Sequence, residues 1–310
     1  MGKIIYFIFL PILLYGMIPS TLTQNFEIPS VINVEINKPK GSCNQSVTIV
    51  NGIPIHCADE LIFQEEFEGS TLHPYKWTVE RRIPRSPDYE FNLYIDDIED
   101  VLKVENGLVH IKPTSTTGYF GITSVSKREP IDLGPTCTGE LDSDECFSHS
   151  IPPYISAQFS SKDKFSFKYG RVEVRAKMPQ GMWIYPQLWL QPNCPKYGYT
   201  NYNSGQMRLA QTRDDGPRKD LITGLVLNSA PAWHYLLLCI NSTHQNVSDE
   251  FHVYEMSWTP QAIVFSMDDE EFCRDEVNSE AGSKWAPFDQ EFYLLVGEGI
   301  GGLSDFHDGH

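Results

Sequence analysis

Gln206, Arg208 and Gln211 are spaced i, i+2, i+5, and they hold the most telling chemistry in this chain because of what they cannot do. Retaining cleavage of a glycosidic bond needs two carboxyl groups about 5 Å apart, one as nucleophile and one as proton donor. A glutamine amide performs neither task. A guanidinium does not exchange its proton near neutral pH, so Arg208 is no acid or base either. The nearest carboxylates in sequence, Asp214 and Asp215, fall in the turn-like run Arg213–Pro217. Catalysis demands placement to about half an ångström, and such a turn is a poor substitute for the missing pair.

Aromatic residues that could stack on sugar rings cluster nearby. Trp183, Tyr185 and Trp189 occur in one short run at spacings read as presenting them on both faces of a strand. Tyr197, Tyr199 and Tyr202 lie in the loop just ahead of Gln206. Trp183, Tyr185, Tyr197, Tyr199 and Tyr202 are the candidate carbohydrate contacts, and packing between sheets is the competing use of the same rings.

The elements that must position these residues are strands. From about Asp59 onward, short aromatic or β-branched runs alternate with Gly, Pro and Asn, and no long 3.6-residue periodicity occurs. Asn106-Gly107 between strand-like residues predicts a hairpin. Gly170–Met178 alternates apolar and charged residues, as a strand with one wet face does. Residues 255–268 read as strand, Pro-containing turn, strand. A concave sheet face in such a sandwich is where an extended sugar fits.

The net charge of −17 argues against a nucleic-acid or anionic-membrane partner. Residues 1–23 combine Lys3, an apolar run and small polar residues, which predicts a secretory signal peptide and no membrane span after its cleavage. Residues 24–58, rich in proline, read as a leader, and residues 59–310 as one sandwich. Seven cysteines follow the signal segment, and in a secreted protein they mostly pair. Short loops favour Cys43 with Cys57 and Cys137 with Cys146, leaving three and hence one odd thiol. Sequons at Asn44, Asn241 and Asn246 mark candidate glycosylation sites. No Cys/His spacing suggests a metal, and no cofactor is expected.

Several ordered blocks together resemble the insect Gram-negative bacteria-binding proteins, also called β-1,3-glucan recognition proteins, whose large domain is related to glycoside hydrolase family 16. The blocks are Glu60–Phe67 with Trp77, Pro152–Ala157, Phe167–Gly181, Trp183–Pro186, Tyr202–Ala210, Phe251–Pro260 and Gly299–Gly302. The resemblance implies an all-β, concanavalin-like jelly-roll sandwich, here lacking its C-terminal strands. It also implies a remnant of an N-terminal glucan-binding domain within 24–58. Gln206 and Gln211 stand where active relatives carry the catalytic glutamates, and Arg208 where they carry an aspartate. The implied function is secreted, non-catalytic recognition of microbial polysaccharide, with immune-cascade proteases or other recognition proteins as partners. The alternatives are a protein-interaction module without sugar affinity and an active β-1,3-glucanase.

Overall fold

The computed structural model describes residues 3–4, 43–85, 88–96, 98, 100–139, 144–199, 202–214, 219–227, 235–241, 247–276 and 286–302. Two sheets dominate. In the larger, the strands run in the order Tyr235–Asn241, Lys219–Leu227, Gln206–Asp214, Ile184–Pro192, Phe292–Ile300, Ser166–Lys168, Ile49–Val50 and Ile53–Pro54. Gln158–Ser160 also pairs with Phe292–Ile300 and with Thr78–Val79, which completes ten strands. In the smaller sheet Glu270–Glu276, Ala262–Met267, His252–Trp258 and Gly170–Ala176 are consecutive antiparallel neighbours. This is the all-β sandwich expected from the sequence.

Period-two patterning explains the layering. Val172, Val174, Tyr254, Met256, Trp258, Ile263 and Phe265 turn inward from the smaller sheet, and Leu188, Leu190, Met207, Leu209, Phe292 and Leu294 meet them from the larger. Aromatic rings fill the space between edge to face: Trp77 and Phe159 have centroids 5.0 Å apart, and Trp258 lies 5.6 Å from both Phe167 and Phe292. Glu65 ties the Glu60–Phe67 block to this core, because its carboxylate accepts from the Trp77 indole and the Phe67 backbone, each at 2.9 Å.

The expected hairpin forms with Asn106 and Gly107 at φ of 53° and 74°, between Leu102–Glu105 and Leu108–Ile111. Thr259, Pro260 and Gln261 form the turn between His252–Trp258 and Ala262–Met267, and Thr259 closes it through the Ala262 backbone. Cys43–Cys57 and Cys137–Cys146 are bonded as expected, Cys239 joins Cys273, and Cys194 is free and exposed.

Three differences from the sequence expectations concern placement. Within the segment assigned as leader, Ile49–Val50 and Ile53–Pro54 form a hairpin that extends the larger sheet through Ser166–Lys168. Lys3–Ile4, in the segment assigned as signal peptide, form a two-residue strand between Gly170–Ala176 and Leu61–Phe63. The rings of Tyr185 and Trp189 share one face, because a spacing of four keeps parity in the strand Ile184–Pro192, and Trp183, just ahead of that strand with a left-handed backbone, packs against them.

Candidate functional site

The face of the larger sheet turned away from the core carries the site. Glycines clear room on it. A Cβ on Gly299 would sit 2.4 Å from the Tyr185 ring, and one on Gly297 would sit 2.5 Å from the Gln187 side chain. Their absence lets Tyr185 and Gln187 lie across the neighbouring strand.

At the centre Glu90 accepts from the hydroxyls of Tyr185 at 2.6 Å and Tyr94 at 2.7 Å and from Gln187 Nε2 at 2.6 Å. Gln158 Nε2 donates to Gln187 Oε1 at 2.6 Å. Arg82 in turn donates to Gln158 Oε1 at 2.7 Å and to Glu145 at 2.8 Å. Burial, reinforced by nearby Asp88, pushes the Glu90 carboxyl up to about 7, while the Tyr185 hydrogen bond opposes the shift. Burial works against the Arg82 charge, but Glu145, Glu80 and Glu90 outweigh it and hold the guanidinium protonated. Glu298, between the two glycines, falls by alternation on the opposite face, and burial raises it to about 8.

The Gln206–Asp214 strand contains a bulge. Arg208 pairs with Gly224 and Gln211 with Ile222, so three steps on one strand span two on the other. Thr223 Oγ1 donates to the Arg208 and Leu209 carbonyls at 2.9 and 2.8 Å, which holds the bulge. The extra residue brings Gln206, Arg208 and Gln211 to the same face. There Arg208 Nε donates to Gln206 Oε1 at 2.7 Å, and the guanidinium lies 4.8 Å from the centroid of Trp189, its partner across the strands. Arg208 is only 2% exposed, and both glutamines are fully buried. Gln206 Nε2, both amide atoms of Gln211 and Trp189 Nε1 have no hydrogen-bond partner among the described residues. Such unmet polar demand is uncommon in a buried centre.

A pocket of about 350 Å³ adjoins this centre, with Trp189, Tyr199, Tyr202 and Tyr293 among its walls and Arg82, Arg85, Lys162, Asp88, Glu90 and Glu145 as its charges. Tyr199 is 71% exposed, and Tyr202 hydrogen-bonds Asp88. The five aromatic candidates therefore separate. Tyr199 and Tyr202 line this pocket, Tyr185 is buried in the Glu90 network, and Trp183 lines a different cavity at the end of the face. Tyr197 is outside both, fixed by a 2.6 Å bond to Asp289.

Asp214 lies at the strand end, three residues or roughly 10 Å beyond Gln211, with its backbone paired to Lys219. Asp215 and Asn246 lie outside the described residues. Asn44 is exposed, and Asn241 ends its edge strand. Cys43, His56 and Cys57 come together, but a disulfide joins the two sulfurs and withdraws them as thiolate ligands.

The profile of the Glycosyl hydrolases family 16 matches residues 239–303. Over 85% of its length the chain is 39% identical to Gram-negative bacteria-binding protein 3 of Drosophila melanogaster, and 38% identical to the β-1,3-glucan-binding protein of Tenebrio molitor. The chain belongs to this family of Gram-negative bacteria-binding and β-1,3-glucan-binding proteins. It spans 59% of the length of each of those two relatives. Among solved structures it is similar to the laminarinase of Rhodothermus marinus, with a TM-score of 0.59 at 23% identity, covering 79% of this chain and 87% of that one. The laminarinase catalytic domain of Thermotoga petrophila gives 0.57 at 21%, covering 77% and 85%. These likenesses establish a shared fold.

Glu90, Arg82, Gln158 and Gln187 were not singled out from the sequence. Gln158 and Gln187 alone leave a local trace, as amides inside the apolar strand runs Ile155–Phe159 and Tyr185–Trp189.

Proposed function

We propose that this family member is a secreted, non-catalytic recognition protein for microbial polysaccharide, with the glycan bound on the concave face beside Gln206, Arg208 and Gln211. The observation that carries this reading is the chemistry of that strand. Its three polar positions on the face hold two amides and a guanidinium, and none of them can attack an anomeric carbon or protonate a leaving oxygen. The acids of the adjoining face are engaged elsewhere, Glu90 by three donors and Glu145 by Arg82. What the face offers is binding chemistry: exposed aromatic rings, both charge signs and unpaired amide groups.

The apolar leading segment and the three disulfides support secretion. The relatives' names support glycan binding, and the family resemblance supports immune-cascade proteases as downstream partners.

The test incubates the purified secreted chain with curdlan and with peptidoglycan while measuring reducing sugar released from laminarin. Retention on either polymer without release is the expected result. Release that disappears in Asp214→Asn would overturn the non-catalytic reading. Absence of both retention and release from a folded chain would leave protein interaction as the function.

A further inference from the structure

The same face ends in a second cavity of about 340 Å³, unlike the first in its chemistry. Trp183, Tyr154, Met182 and Ile300 contribute to its walls, Thr114 and Ser115 to its rim, and among the described residues no charged side chain lines it. Tyr154 is 41% and Met182 48% exposed, so two of these large apolar side chains are left open by the described residues. Isolated exposed apolar groups are ordinary, but exposed groups converging on a concavity mark a binding surface.

Trp183 links this cavity to the rest of the face. Its ring packs against the Tyr185, Trp189 and Leu295 cluster. Its backbone is left-handed, at φ 62°, a strained conformation for a bulky residue. Two backbone hydrogen bonds impose it, from Trp183 N to Asp214 O at 2.9 Å and from Gly301 N to Trp183 O at 2.8 Å. The strain is thus spent on aiming one aromatic ring at the cavity.

The lining selects the ligand class. Aromatic faces complement the C–H faces of a pyranose, and rim hydroxyls complement its equatorial hydroxyls. A ligand bearing phosphate or carboxylate would lose hydration here and gain no counter-charge. We propose that this cavity is a second carbohydrate site, separate from the pocket at Tyr199, that takes an uncharged pyranose unit of a β-glucan against Trp183 and Tyr154. The inference rests on the glycan-recognition reading and adds a location and a charge class to it.

Laminarihexaose titrated into the full chain by calorimetry tests it, with Tyr154→Ala and Thr114→Trp for this cavity, Tyr199→Ala for the other pocket, and thermal melts as the folding control. Tyr154→Ala removes one wall, and Thr114→Trp fills the opening from an exposed position that the core does not use. The expected result is a five- to tenfold loss of affinity in both cavity variants at unchanged Tm, with Tyr199→Ala reporting the other pocket's own share of the binding. Should Tyr154→Ala melt early, Thr114→Trp decides alone. Unchanged affinity in Thr114→Trp, or a loss confined to Tyr199→Ala, overturns the second site and leaves glycan recognition standing. Absence of binding by the folded parent chain overturns both.

Discussion

At the scale of single residues, the site is defined by which charges are buried and what holds them. Arg208 is the largest departure from catalytic chemistry, because it covers Trp189 and bonds Gln206. Restoring acids around it does not restore the reaction. In Gln206→Glu with Gln211→Glu, the new carboxylate at 206 meets the Arg208 guanidinium at hydrogen-bond distance and is held ionised but engaged, unavailable as a nucleophile. The expected outcome is no reducing-sugar release from laminarin by the double variant. Glu298 makes a separate prediction about pH. Its folded value of about 8 lies above the ordinary 4.5, so the folded state holds that proton more tightly than the unfolded chain does. Its contribution is therefore most favourable below the unfolded value, declines as pH rises between the two, and becomes a full penalty above about 8. Glu298→Gln cannot ionise. Compared by urea unfolding, it should gain on the order of 2–4 kcal/mol over the parent at pH 8.5 relative to their difference at pH 5. Glu90 shifts the same way, so the parent's remaining stability should still fall between pH 5 and 8.

At the scale of elements, strands deliver these residues through two devices, glycines and a bulge. Gly299→Ala places a Cβ 2.4 Å from the Tyr185 ring, which has nowhere to go while its hydroxyl holds Glu90. That overpacking should cost about 1–3 kcal/mol in a denaturant titration and weaken glycan retention together. Thr223→Val removes the hydroxyl that satisfies two bulge carbonyls, and should cost about 1–2 kcal/mol, with Arg208 displaced from Trp189. How much of this was legible follows from sequence distance. Asn106-Gly107 and the Thr259–Gln261 turn are local signals, read directly from the residues that make them. The three positions of the degenerate strand were legible by family resemblance, though the bulge that aligns them was not, since its register depends on the partner strand. The Glu90 network was invisible for a related reason. Its members come from five separate segments, at 82, 90–94, 145, 158 and 185–187, and no periodicity within one segment announces a meeting between five.

At the scale of the whole molecule, the two sheets must keep one spacing if the face that carries the site is to keep its shape. The core supplies that along its middle, where Trp258, Phe167 and Phe292 interlock. At one side Tyr235–Asn241 and Glu270–Glu276 are the last described strands of their sheets, and the Cys239–Cys273 disulfide joins them. The bond closes a sequence separation of 34 residues, which the chain-entropy estimate values at about 4 kcal/mol. The shorter Cys43–Cys57 link, with a separation of 14, is worth about 3 kcal/mol by the same estimate and sits on the hairpin at the far edge of the larger sheet. Cys239→Ser with Cys273→Ser should therefore lower unfolding free energy by about 4 kcal/mol. It should also release the strand nearest Lys219–Leu227, whose Gly224 backs Arg208. Hydrogen exchange tests the argument at the right scale: protection should fall in 219–227 and 235–241 and extend into 206–214, whereas loss of the 43–57 bond should leave those three strands protected. Equal loss of protection throughout both sheets in either variant would mean that the sandwich opens as one unit and that the edge disulfide has no special hold on the site.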